Sequence, residues 1–170
     1  MSPEQRASLA ELARLRAELA ADRAAMGRAL VDVEAVLSSW GEEAPDRAHL
    51  ALAAVALHGW YGGLEAVLER AVRALDGAVP AGDAWHRDLL SQAMVEVPGV
   101  RPAILERSLS RPLLGLMEFR HFFRHAYGVE LDPGKLSENL QRAAAVAPEV
   151  DGDLDHFDAF LEQAMRSLGA

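Results

Sequence analysis

Arg120 and His125 stand with four residues between them in the run Phe119-Arg120-His121-Phe122-Phe123-Arg124-His125-Ala126-Tyr127. A guanidinium can grip a phosphodiester through paired, charge-assisted hydrogen bonds. An imidazole, which titrates near neutrality, can take or give the protons of its cleavage. Those two groups in one short stretch are the minimal equipment for cutting RNA without a metal ion.

The run must lie on a helix for its spacing to matter. Ser110 and Pro112 can start one, and Gly128 can end it in the left-handed conformation that glycine adopts at little cost. At about 100° per residue, Leu116, Phe119, Phe122, Phe123 and Ala126 fall on one apolar arc that has to face a core. Arg120, His121, Arg124 and His125 fall on the other side, where Arg120→Ala should leave the fold intact. Arg120 and His125 are then about 140° and roughly 7.5 Å of rise apart, so they do not stack, yet their side chains can converge over one groove. Tyr127 lies about 20° from Arg120, about two turns further on.

On these residues the chain resembles the HEPN superfamily, whose ribonucleases carry an Arg, four to six residues, then a His, commonly with a polar Asn, Asp or His just after the Arg. Arg120-His121 and His125 match that pattern. The continuation to Tyr127 makes Arg-x4-His-x-Tyr, which is similar to the HepT toxins that are paired with a minimal nucleotidyltransferase antitoxin. The stretch from Val97-Pro98-Gly99-Val100-Arg101-Pro102 through Leu131-Asp132-Pro133 also resembles HepT-like sequences, so the resemblance covers about residues 45 to 145. It implies a homodimer with facing motif helices. The RNA 2′-hydroxyl would attack its neighbouring phosphate, with His125 as general base or acid and Arg120 stabilising the phosphorane. His121 would position the phosphate and Arg124 would contact the backbone. Products would carry a 2′,3′-cyclic phosphate, and DNA would not be cut. The resemblance further implies that the antitoxin transfers AMP to Tyr127.

The overall charge works against an RNA ligand. With 17 Lys and Arg against 26 Asp and Glu the net charge is −9, which repels a polyanion at long range. Binding must come from a local patch, and Phe119 to Tyr127 holds two Arg, two His and no acid. Such an island can hold one scissile phosphate with salt-sensitive affinity unless a second chain widens it.

A chain of 170 residues, 51% hydrophobic, fits one domain over residues 1–170 with a core of its own. No uninterrupted apolar run has spanning length, and Met1-Ser2-Pro3-Glu4-Gln5 lacks the basic start of a signal peptide. A cytoplasmic protein without membrane contact is the expectation. Zero cysteines remove disulfides and thiolate metal ligands.

The remaining segments read as helix, giving an all-α, up-and-down bundle of five to six helices. Ser2, Pro3 and Gln5 form a capping-box start for a long amphipathic helix over residues 3–38, whose apolar seam is interrupted by Arg16 and Arg23. Pro45 and Asp46 open a second helix that Gly77 ends, and Asp83 caps a third from Ala84 to about Val95. Arg101-Pro102 begins a short connecting helix. Asp132 and Pro133 start a helix over residues 134 to 147, and Pro148, followed by Asp151, Asp153 and Asp155, starts the last one, ending near Gly169.

Other chemistry is weaker. His86 and Asp88 could sit near the site, with the acid orienting a base or positioning Arg120, but Trp85 and Leu89 read as core and the two polar residues as makers of local hydrogen bonds. His49 and His58 read as polar tips of packed residues. His121 and His125 have zinc-helix spacing, but no Glu follows His121 and no third ligand is placed, so neither metal nor cofactor is expected. Two functions remain. One is a toxin ribonuclease acting on tRNA or mRNA; the other is a non-catalytic HEPN-like module that docks a nucleotidyltransferase or another partner.

Overall fold

The central helix, α2 (Arg47–Asp76), is cut out of the chain by its caps. Asp46 accepts a hydrogen bond from the His49 amide at 2.8 Å, and the bonds from His49 hold its carboxyl below the usual carboxylate range. Gly77, at φ 76°, closes the other end in the left-handed conformation. Between them Ala53, Leu57, Trp60, Leu64, Val67 and Leu68 are buried at helical spacing. By length and composition α2 could cross a membrane, but half of its most apolar window is buried inside the protein, as befits a core helix. The structure, a computed structural model, describes residues 1–40, 45–125 and 131–169, without the side chains of residues 122–125.

Four further helices surround α2 among the described residues: α1 (Pro3–Ser39), α3 (Trp85–Ala93), α4 (Ser110–His125) and α5 (Pro133–Gly169). All four pack on it, α1 most extensively, and α1 and α4 also lie along α5. The result is an all-α bundle. No strand occurs among the described residues, only an isolated bridge between Val97 and Arg101.

The Ser2–Gln5 capping box forms as the sequence implies, with both reciprocal bonds made. A narrow seam of α1, made by Leu15, Leu19, Met26, Val33 and Val36, is buried. Gly63 lets α1 approach closely, since a Cβ there would fall 2.5 Å from Met26 Cγ. Arg16 and Arg23, which interrupt the apolar pattern, are answered by α5. Arg16 binds Asp158 at 2.6 Å, and Arg23 binds Asp151 at 2.5 Å and Asp155 at 2.7 Å.

That pairing corrects the reading of the C-terminal third. Pro148 does not start a helix; it lies inside α5, which runs unbroken from Pro133 to Gly169. A proline in a helix interior costs about 3 kcal/mol, but Val146, Ala147, Val150, Leu154, Phe157 and Leu161 are buried in one stripe across it, and that packing offsets the defect. The acids after Pro148 are therefore mid-helix partners for α1. Asp153 instead accepts the Glu106 amide at 2.8 Å, just before a 3-10 turn at Arg107–Leu109.

Two connecting segments also depart from expectation. The third helix starts at Trp85 with Ala84 in the cap position, and no side chain caps it, so Asp83 does not play that part. Arg101 begins no helix. It is 2% exposed and forks onto both oxygens of Asp76, each at 2.7 Å, and it also donates to the carbonyls of Gln92, Val95 and Pro102. Gly99, at φ 76°, makes the tight turn that brings Arg101 back onto the end of α2.

Candidate functional site

Helix α4 is oriented by its apolar arc. Leu113 and Leu116 are buried and Phe119 packs against the core, as the 3.6-residue period requires. The neighbouring Arg120 then points toward α2 instead of out to solvent. Its Nη2 lies 2.9 Å from Glu65 Oε2, with only 14% of the arginine side chain and 7% of the glutamate side chain exposed. The expectation of a solvated basic arc fails at this residue, because α2 stands close enough to cover it.

Glu65 joins three helices. Its other oxygen, Oε1, is paired with His86 Nδ1 at the start of α3, and the His86 ring stacks on that of Trp85, with centroids 3.6 Å apart and planes inclined by 30°. Tyr61, one turn earlier on α2, is 3% exposed. Burial pushes its phenol above the ordinary value, and the negative charge of Glu65 pushes it further, against the pull of Arg120. Gly62 leaves bare backbone under the guanidinium; a Cβ there would sit 3.7 Å from Arg120 Nε. That Nε is itself buried without a hydrogen-bond partner among the described residues. Glu65 thus engages Nη2 of Arg120, while the buried Nε stays unpaired among the described residues.

The other residues singled out by sequence are distributed as follows. His121 is exposed on α4. Arg124 and His125 belong to the last turn of α4, but their side chains lie outside the described residues, as do Tyr127 and the expected terminator Gly128. His86 does not spend its Nδ1 on a local bond, since its partner is 21 positions away. Asp88 is exposed. His49 bonds to Asp46 within its own cap.

Glu65 was overlooked by reading motifs. Its signal was present: it is the first acid in α2, and it falls among Tyr61, Leu64, Val67 and Leu68 on the buried face. An acid at a core position requires a partner, because an unpaired buried carboxylate is prohibitively costly. The basic island, free of acids along the chain, contains one in space.

An all-helical bundle that presents an Arg-x4-His helix against a buried acid is the class of protein defined so far. The chain belongs to the HepT-like family: the model of that family, described as HepT-like protein, matches residues 52–161. The match begins inside α2 and ends inside α5, so it contains Glu65, His86 and Arg120 and leaves α1 outside. It extends beyond the region near residue 145 where the sequence resemblance ends. No curated protein and no solved structure matches the chain.

Proposed function

We propose that this protein is a metal-independent endoribonuclease, the toxin of a toxin–antitoxin pair. The observation that carries the reading is the seating of Arg120. A cation meant only for solvation has no need of a buried carboxylate, whereas one that must meet a phosphorane has to be held in a fixed pose. Membership of the HepT-like family supports it. In this reading the 2′-hydroxyl of RNA attacks the adjacent phosphate, Arg120 stabilises the charge that develops, and His125 acts as base or acid. In the same reading His121 positions the phosphate and Arg124 contacts the RNA backbone. The active form is a two-fold dimer in the cytoplasm, in which a second α4 supplies further cations to offset the net charge of −9. The antitoxin nucleotidyltransferase silences it by placing AMP on Tyr127.

Incubating the purified protein with tRNA and mRNA in the presence of chelator tests the reading. Cleavage should persist and leave 2′,3′-cyclic phosphate ends, and His125→Ala should slow it by about 100-fold or more. Light scattering should find a dimer at micromolar concentration. A protein that binds a nucleotidyltransferase but leaves every RNA intact is instead the non-catalytic docking module.

A further inference from the structure

Cleavage by 2′-hydroxyl attack needs two proton transfers, one from the 2′-oxygen and one to the departing 5′-oxygen. We infer that His86 is a second proton-transfer residue of the Arg120 site and acts as the general base, with Glu65 as its positioning residue. This rests on the ribonuclease reading above.

Three observations lead to it. Glu65 is buried and divides its oxygens between His86 Nδ1 and Arg120 Nη2, so the imidazole and the guanidinium are tied to the two atoms of one carboxylate. A carboxylate accepts only, so His86 Nδ1 carries a proton and Nε2 is the ring's remaining nitrogen for proton transfer. That Nε2 has no hydrogen bond among the described residues, and 16% of the His86 side chain remains exposed. The Trp85 ring stacks on the imidazole. A buried acid orienting a histidine whose far nitrogen is open is the arrangement by which proteins prepare a base. A histidine needed only to neutralise Glu65 would be superfluous, because Arg120 already does so.

The step balances. His86 Nε2 takes the 2′-hydroxyl proton as the 2′-oxygen forms its bond to phosphorus. The bond from phosphorus to the 5′-oxygen breaks with its electron pair going to that oxygen, which takes a proton from the imidazolium of His125. Proton exchange with water resets both rings. Among the described residues Glu65 pairs with His86 directly, and Glu65 is in turn faced by Tyr61, one turn before it on α2, and by Arg120 on α4.

His86→Asn is the discriminating variant, because its carboxamide can donate to Glu65 in place of Nδ1 but cannot titrate. The full-length variant should keep KM within about threefold while kcat falls by about 100-fold or more, and the limb of the pH–rate profile that reports the base should vanish. Should the Asn variant fail to fold, His86→Gln serves the same comparison. His86→Ala with added free imidazole should recover part of the rate. A folded Asn variant with parental kcat and pH profile overturns the inference, and so does a lowered kcat with an unchanged profile and no imidazole rescue, which would make His86 a support for Glu65. If Arg120→Ala is inactive while His86→Asn is not, only this inference falls; a parent that cleaves no RNA removes the ribonuclease reading as well.

Discussion

Arg120 Nη2 and Glu65 Oε2 face each other at 2.9 Å across the contact between α4 and α2, and both side chains are largely withdrawn from water. The pair ties the proposed chemistry to the fold, since removing Glu65 strands Arg120 and removing Arg120 leaves Glu65 with His86 alone. Arg120→Ala therefore should not leave the fold untouched, contrary to what the motif helix suggests when read alone. Breaking such a pair destabilises by about 3–5 kcal/mol, and His86 can relieve only part of that. Urea unfolding should show the loss, and Glu65→Gln in the Arg120→Ala background should restore some of it. Additive losses in that double-mutant cycle would mean the two residues do not interact.

Asp76 ties stability to acid. The Arg101 guanidinium that forks onto it is the main cause holding its carboxyl below the usual carboxylate range, and Gln92 adds to this. A carboxyl with a depressed folded value stabilises the protein at pH above its unfolded value, about 3.9, and that contribution is lost as pH falls through the folded value. Asp76→Asn, which leaves Arg101 buried without its counter-charge, should cost about 3–5 kcal/mol at pH 7. The gap between parent and variant should narrow below about pH 3.5. A gap that stays constant from pH 7 down to the acid transition would refute the linkage.

Adjacent glycines on α2 should respond oppositely. At Gly62 a Cβ would make ordinary contact with Arg120 at 3.7 Å, so Gly62→Ala should be neutral or raise stability by up to about 1 kcal/mol through helix propensity. At Gly63 the same atom would lie 2.5 Å from Met26 Cγ and 3.6 Å from its Cα. Gly63→Val should destabilise by about 1–3 kcal/mol as α1 is pushed away. Thermal melts of both variants decide whether α1 sits this close.

In the proposed toxin–antitoxin reading, control should converge on Tyr127. Coexpression with a neighbouring nucleotidyltransferase should add AMP to that phenol, and the modified protein should lose RNA cleavage, because the new phosphate competes for the cations that hold the substrate. Peptide mapping by mass spectrometry reads the site. An unmodified Tyr127 in a fully neutralised toxin would exclude this mode of control.

Much of the architecture is written in local chemistry. The Ser2–Gln5 box, the Asp46 cap, the Gly77 stop and the apolar period of α2 and α4 act within a turn or two of the chain, so they can be read from neighbouring residues. The Arg-x4-His-x-Tyr spacing is likewise local, and it led to the family that the match over residues 52–161 shows. Partnerships between distant residues could not be read this way. Glu65 meets His86 and Arg120, Arg101 meets Asp76, and Arg23 meets Asp151 and Asp155 because helices far apart in sequence lie side by side. The same is true of Pro148, whose break signal was overruled by a buried stripe that continues across it. Propensity and capping are worth about 1 kcal/mol at each position, whereas a buried charge without a partner, or an abandoned core face, costs several times that. Local signals could therefore mark where most helices begin and end, but only the packed structure decided which charges face inward and what they hold.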